Sequence, residues 1–265
     1  MPRKDVPPLP AELGCPRCRA ALREVDEGFL CPAHGQVGRR DADGICVFDH
    51  SSDYWGEVDR ELMQRVNAAA RQAGWRDALS TVLRPAHPEL VDYVHHAARG
   101  DWRVLLPLDR ERTVAADIGA GWGANAFALA PHVARVYAVE KIAERVEFIA
   151  LRGHAEPAAK VVPVRADLQA LPFAPHSLDL CVVNGVLEWA GLADPEAVPG
   201  RPRRSPRVLQ ERFLGQLAAC LKPGGALYVG IENRFGRMFW RGTPDHQGLR
   251  YTSLMPKPAA RAYTW

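Results

Sequence analysis

Four residues near the start of the chain have the types and spacing of a metal site. Cys15-Pro16-Arg17-Cys18 and Cys31-Pro32-Ala33-His34 form a CxxC followed by a CxxH, with twelve residues between them. Zinc takes four soft or borderline ligands in a tetrahedron, and two ligands two residues apart can come from one tight turn. Two such turns make a ribbon, and the prolines after Cys15 and Cys31 pre-shape them. The alternative fourth ligand is Cys46, but Asp43-Gly44-Ile45-Cys46-Val47-Phe48 reads as a strand, so His34 is preferred. A metal with all four positions filled is structural rather than catalytic. Cys46, Cys181 and Cys220 are scattered and read as small buried apolar residues.

A second group of residues suits a nucleoside. Asp117-Ile118-Gly119-Ala120-Gly121-Trp122-Gly123 follows one apolar run and opens another. Glycines there permit positive φ and let a ligand approach the backbone. The turn alone is ambiguous, because Gly119-x-Gly121-x-x-Ala124 also satisfies the NAD fingerprint and any such turn can be merely structural. Two carboxylates sharpen it. Glu140 ends the next apolar run, where it can accept hydrogen bonds from both ribose hydroxyls, and Asp167 follows the third, where it can take the exocyclic amine of adenine.

The elements that must position these groups are legible in the patterning. Residues 1 to about 13 are Pro-rich and read as a loose tail; 14 to 50 is turn-rich and reads as small β-hairpins. From 54 to 100 the spacing is helical, with Leu62, Val66, Ala69 and Ala70 on one face and Leu90, Tyr93, Val94 and Ala97 on another. Pro85 and Pro88 separate the two, and Gly100 is the expected stop. Strands are predicted at 113–118, 133–139, 161–164, 178–183 and 226–231, and helices at 125–130, 142–152 and 208–221, the last ended by Lys222-Pro223-Gly224-Gly225. Strands alternating with helices imply an α/β domain, a parallel sheet covered on both faces. The expected division is 1–50 tail and ribbon, 51–111 helical linker or cap, and 112–265 ligand-binding domain.

Composition is that of an ordinary globular chain: 265 residues, 47% hydrophobic and 25% charged. A formal charge of +3 neither demands nor excludes an anionic partner. The first residues show no secretory signal, and no run reaches the roughly 18 apolar residues a membrane span needs, so a cytoplasmic location is expected.

The text DIGAGWG, Val139-Glu140, Ala166-Asp167, LPFAPHSLDLCVVNGVLEW at 171–189 and LKPGGALYV at 221–229 resembles the class I S-adenosylmethionine (SAM)-dependent methyltransferases. The likeness covers about 112 to 231 and is nearest the broad group, of type 11, that includes quinone-biosynthesis methyltransferases. It implies a Rossmann-like sheet with SAM as cofactor. Asp117 and the backbone of Gly119, Ala120, Gly121 and Gly123 would hold the methionine part. Glu140 would bind the ribose, Asp167 and the Leu168 N–H would read adenine, and Asn184 and Gly185 would line the methyl-bearing side. Strands 6 and 7 of that fold are not legible after Asn233. The Cys/His segment resembles the zinc-binding start of bacterial 23S rRNA guanine-N1 methyltransferases and is similar to the zinc domain of small tRNA-methyltransferase activators. Those ribbons serve RNA or a partner, but only Arg17, Arg19, Arg39 and Arg40 offer a basic surface here.

Acceptor choice has weaker signals. The insertion from Ala193 to Arg207 holds Arg201, Arg203, Arg204 and Arg207, which suit a phosphate or a solvated loop equally. The segment after Gly230 resembles methyltransferase-like proteins associated with surface-polysaccharide genes. Within it His246, beside Asp245 and oriented by it or by Glu232, is the candidate base. A small-molecule or glycan acceptor is therefore expected. The alternatives are an RNA base, a non-catalytic ribbon scaffold that binds a partner, and an NAD oxidoreductase. Oligomeric state is not legible.

Overall fold

The computed structural model describes residues 9–26, 28–156, 160–191, 204–231, 233, 235–244, 248–256 and 258–259. His246, its expected orienting partners Asp245 and Glu232, and the insertion arginines Arg201 and Arg203 lie outside the described residues.

The centre is a parallel sheet of β5 (Val114–Ile118), β6 (Arg135–Glu140), β7 (Val161–Arg165) and β8 (Leu178–Asn184). Val136, Tyr137, Ala138 and Val139 are wholly buried in sequence, as are Leu180 to Val183. That is the signature of strands covered on both faces, and it is why these stretches read as continuous apolar runs. The helices α4 (Ala124–Leu129), α5 (Ala143–Ala155) and α6 (Pro206–Cys220) alternate with the strands, α6 capped by Ser205.

The N-terminal hairpins are β1 (Arg23–Val25), β2 (Gly28–Cys31), β3 (Gly35–Arg40) and β4 (Cys46–Val47). The first three joins are antiparallel, and β4 then pairs in parallel with β7, Cys46 beside Val164 and Val47 beside Arg165. With β9 (Leu221–Gly230) the whole forms one nine-stranded sheet in the order β1-β2-β3-β4-β7-β6-β5-β8-β9. The boundary expected at residue 50 is therefore not a break in the fold. Leu13, Phe29 and Cys46 share one buried cluster with Ile118, Val139 and Val183, so the ribbon has no separate core. The tail joins as well: Ala174 N–H donates to the Glu12 carbonyl, and Tyr137 Oη lies 2.9 Å from the Glu12 carboxylate.

α1 (Arg60–Ala73) starts where the Asp59 side chain accepts from Leu62 N–H and ends at Gly74, with Leu62, Met63, Val66 and Ala70 buried. It packs on α5, and Asn67 Nδ2 donates to the Glu144 carbonyl at 2.8 Å. A short turn α2 (Trp75–Ala78) follows, and α3 (Pro88–His95) then stops five residues before the expected Gly100. Gly100 is buried instead: a Cβ there would sit 3.1 Å from that of Ala128, so the glycine permits close packing rather than ending the helix. Ala97 falls past the helix and is exposed.

The other shift is at β9, which begins at Leu221 rather than Ala226. Lys222 Nζ lies 2.9 Å from both carboxylate oxygens of Asp179, and Asp179 Oδ2 accepts from Val114 N–H at 2.8 Å. That contact ties the Lys-Pro-Gly-Gly stretch to the starts of β5 and β8, and Tyr228 stacks on Trp102 at 3.9 Å. Leu227 and Val229 are each 38% exposed, and among the described residues no strand follows Gly230. The chain divides into two compact units, Met1–Val229 and Gly230–Trp265; the second holds α7 (Arg237–Trp240) and a single turn at Thr252–Leu254. Among the described residues no helix is long and apolar enough to cross a membrane.

Candidate functional site

The turn after β5 is docked on the neighbouring strand: Gly119 N–H and Ala120 N–H both donate to the Val139 carbonyl, at 2.8 and 2.9 Å. Gly119, Gly121 and Gly123 all have positive φ, 73°, 55° and 78°. A Cβ on Gly119 would lie 2.5 Å from Val186 Cγ2, whereas one on Gly121 would meet nothing within 4 Å. The first glycine is thus required by the protein itself, and the second faces open space where a ligand can reach the backbone.

Three carboxylates lie at the carboxyl ends of β5, β6 and β7. Asp117, 1% exposed, has Oδ2 buried without a hydrogen-bond partner. Burial pushes its carboxyl up to about 7. Glu140 caps the end of β6: Oε2 accepts from Gly121 N–H at 2.9 Å, and Oε1 accepts from the N–H groups of Lys141 and Ile142 at 2.8 and 2.9 Å. Asp167 stands beyond β7, where Oδ1 accepts from Gln169 N–H at 2.8 Å and Oδ2 pairs with Lys141 Nζ at 3.0 Å. Ala166 N–H donates to the Glu140 carbonyl, so the two strand ends are joined directly. The structure brings Asp117, the turn, Glu140 and Asp167 to one carboxyl edge of the sheet. Leu168 is half-buried beside Asp167; Asn184 and Gly185 (φ 69°) end β8, the neighbour of β5.

The sequence reading missed residues that border this edge. Lys141 also pairs with Asp53 Oδ2 at 3.0 Å. Trp122, fully buried inside the glycine turn, directs Nε1 to Glu57 Oε2 at 3.4 Å, and Arg145 forms an ion pair with the same Glu57 oxygen. The Trp55 ring lies on Trp189, with centroids 4.9 Å apart. Two aromatic residues in the otherwise polar Ser51-Ser52-Asp53-Tyr54-Trp55-Gly56-Glu57 were the available signal.

The Cys/His residues also converge. The ligand atoms of Cys15, Cys18, Cys31 and His34 all lie within 4.8 Å of one another. Cys15 Sγ and Cys31 Sγ are each 3.6 Å from His34 Nδ1, and Cys18 Sγ is 3.6 Å from Cys31 Sγ. A tetrahedron with metal–sulfur bonds of about 2.3 Å has edges of about 3.8 Å, close to these three separations, so the donor chemistry and spacing suit zinc. Burial raises the Cys31 thiol, but hydrogen bonds to His34, the Ala33 backbone and Cys18 outweigh it and lower the group to about 6, favouring the thiolate that binds metal. Cys46 stays apart from this set in β4, where burial pushes its thiol up to about 11. Of the four basic candidates on the ribbon, Arg40 is spent on Glu24 at 3.0 Å.

A separate cavity of about 300 Å³ opens at the amino ends of β5 and β8, lined by Leu106, Arg112, Thr113, Asp179, Lys222 and Gly225; it includes none of the residues of the carboxyl edge or of the Cys/His cluster.

Residues 116–229, less than half of the chain, match the family of methyltransferase domains. Among particular proteins, the chain is 30% identical over 159 residues to the biotin biosynthesis bifunctional protein BioHC of Cellvibrio japonicus, an alignment covering 60% of this chain and 25% of that one. The crystal structure of YcgJ from Bacillus subtilis is similar at 21% identity and a TM-score of 0.41, over 51% of this chain and 50% of that one. A SAM-dependent methyltransferase from Aquifex aeolicus is similar at 14% identity and a TM-score of 0.45, over 69% and 84%. The chain spans about a quarter of the curated relative and half of YcgJ.

Proposed function

We propose that this chain is a SAM-dependent methyltransferase that methylates an oxygen or nitrogen of a small-molecule or glycan-type acceptor, and that its ribbon holds a structural zinc. The observation that carries the first half is the buried, unpartnered Asp117 Oδ2 beside an open Gly121. The carboxylate accepts from the Ala126 backbone, but a buried carboxylate oxygen left without a donor is costly, and a cationic amine such as the one on the methionine moiety relieves that cost. On this reading the backbone of Gly119, Ala120, Gly121 and Gly123 cradles the same moiety. Glu140 keeps lone pairs for the ribose hydroxyls, Asp167 and the Leu168 N–H read adenine, and Asn184 and Gly185 border the reacting methyl.

When bound, SAM supplies a methyl group on a sulfonium that is already activated for displacement. The chain's own part is to align the acceptor about 3 Å from that methyl and to exclude water. An oxygen acceptor also needs a base, for which His246 is proposed; a His246→Ala chain with undiminished turnover removes this assignment. The direct experiment is calorimetry with SAM, followed by mass spectrometry of products formed from labelled SAM in a lysate. Absence of SAM binding at high micromolar concentration favours the scaffold reading, and RNA binding with a steep salt dependence favours the RNA reading.

Asp117 makes the binding pH-dependent. A free aspartate titrates at ~3.9, and burial pushes this carboxyl up to about 7. Between those values the folded chain keeps a proton that the unfolded chain has released, so ligand-free stability falls as pH rises through that window. An ammonium ligand needs the ionised form, so affinity moves the other way: SAM is expected to bind about tenfold more weakly at pH 6 than at pH 8. Titrations at the two pH values check this, and Asp117→Asn should bind weakly with a flat profile. A flat profile in the unmodified chain removes Asp117 from the site.

A further inference from the structure

We propose that the strap of residues 49–59, which leaves β4 and enters α1, is a wall of the cofactor pocket, and that Asp53, Trp55 and Glu57 are cofactor-positioning residues. This rests on the SAM reading above.

The strap is fixed at both ends. At its start the N–H groups of Phe48 and Asp49 donate to the Arg165 carbonyl at 2.8 and 3.2 Å, and the Arg165 guanidinium donates to the Ser51 carbonyl. At its end Val58 is buried, Tyr54 Oη donates to the Val58 carbonyl at 2.8 Å, and Asp59 caps α1. Between these ends the backbone crosses the carboxyl edge of the sheet, touching it through three side chains. Two of them, Asp53 and Glu57, touch a residue next to a proposed SAM contact, and Trp55 reaches the turn that follows β8. Asp53 shares Lys141 with Asp167; Glu57 meets Trp122, which sits between Gly121 and Gly123; Trp55 covers Trp189, five residues beyond Asn184. The charges alternate across the contact, with Asp53 and Glu57 on the strap facing Lys141 and Arg145 on the body.

The anchors are also exposed: Trp55 is 52% accessible, and the Asp53 and Glu57 side chains are 64% and 55% accessible. Exposed contacts of this kind contribute little to folding and hold the middle of the strap only lightly. A segment pinned at its ends and lightly held in the middle can lift to admit a ligand and settle behind it. Seating of the strap and retention of the cofactor are then linked, and each favours the other. The ribbon supplies the fixed end through β4.

The test measures SAM affinity and dissociation rate, by calorimetry and stopped-flow tryptophan fluorescence, for the unmodified chain, Trp55→Ala, Trp55→Phe and Asp53→Asn. About tenfold weaker binding is expected for Trp55→Ala, through faster dissociation, with recovery in Trp55→Phe. Asp53→Asn is expected to bind several-fold more weakly and, at an exposed position, leaves the fold alone. Ligand-free melting temperatures should stay together, which separates positioning from a merely structural role. If the unmodified chain binds SAM and Trp55→Ala and Asp53→Asn bind it equally well, the strap is not part of the pocket. If the unmodified chain does not bind SAM, the methyltransferase reading itself falls and takes the strap's role with it.

Discussion

Removing zinc from the Cys15, Cys18, Cys31 and His34 site, by a chelator or by Cys31→Ser, is expected to unfold far more than the ribbon. In zinc-finger peptides a structural zinc contributes an apparent ~10–16 kcal/mol to folding, while a whole domain retains only about 5–15 kcal/mol net. Here the loss cannot remain local. Phe29, between the two ligand turns, and Cys46 in β4 are buried in the same cluster as Ile118, Val139 and Val183. Releasing β1 to β4 also uncovers the edge of β7 that β4 now pairs. Even about 4 kcal/mol, a fraction of the zinc-finger figure, would lower the melting temperature of a unit this size by roughly 8–16 °C. Metal analysis should find one zinc per chain, and calorimetry with and without chelator should show the drop. A chain purified without stoichiometric zinc, or one whose melting point ignores the chelator, contradicts the zinc proposal.

Glu140→Ala is expected to abolish SAM binding, with at least about a hundredfold loss of affinity. The carboxylate accepts from three backbone N–H groups, one of them in the glycine turn, and is 7% exposed. Each hydrogen bond to a charged group is worth roughly 1.5–3 kcal/mol, and donors left unpaired by its removal add to the loss. Gly121 loses its tether, so the turn moves at the point where the ligand meets the backbone. Calorimetry with SAM tests affinity, and circular dichroism melting separates a local effect from unfolding. Binding within a few-fold of the unmodified chain would exclude Glu140 from the pocket and weaken the whole reading of this edge.

What the sequence determined was local. Runs of β-branched and small apolar residues specify β5 to β8 because strands buried on both faces must be apolar throughout. The positions of Asp117 and Glu140 follow from where those runs stop. Gly119 and Gly123 are dictated by backbone conformation, and the CxxC and CxxH spacings by the reach of a tight turn. Cys46 could be assigned to a strand rather than to the metal because its neighbours carry a strand pattern.

What only the tertiary structure decided depends on contacts between distant segments, for which a linear pattern carries no signal. Cys46 pairs in register with Val164, across more than a hundred residues, and merges a ribbon that reads as a separate module into the central sheet. Gly100 reads as a helix stop, yet its place is set by Ala128 packing against it. Lys222, in a stretch that reads as a helix terminator, is held in β9 by Asp179. The strap is the clearest case: residues 54–59 read as the start of a helix that in fact begins at Arg60, because Asp53, Trp55 and Glu57 each find their partner, Lys141, Trp189 or Trp122, only after the chain has folded back on itself. Propensity and periodicity report on a residue's near neighbours, whereas a binding edge assembled from several strand ends and a crossing loop is fixed by long-range packing.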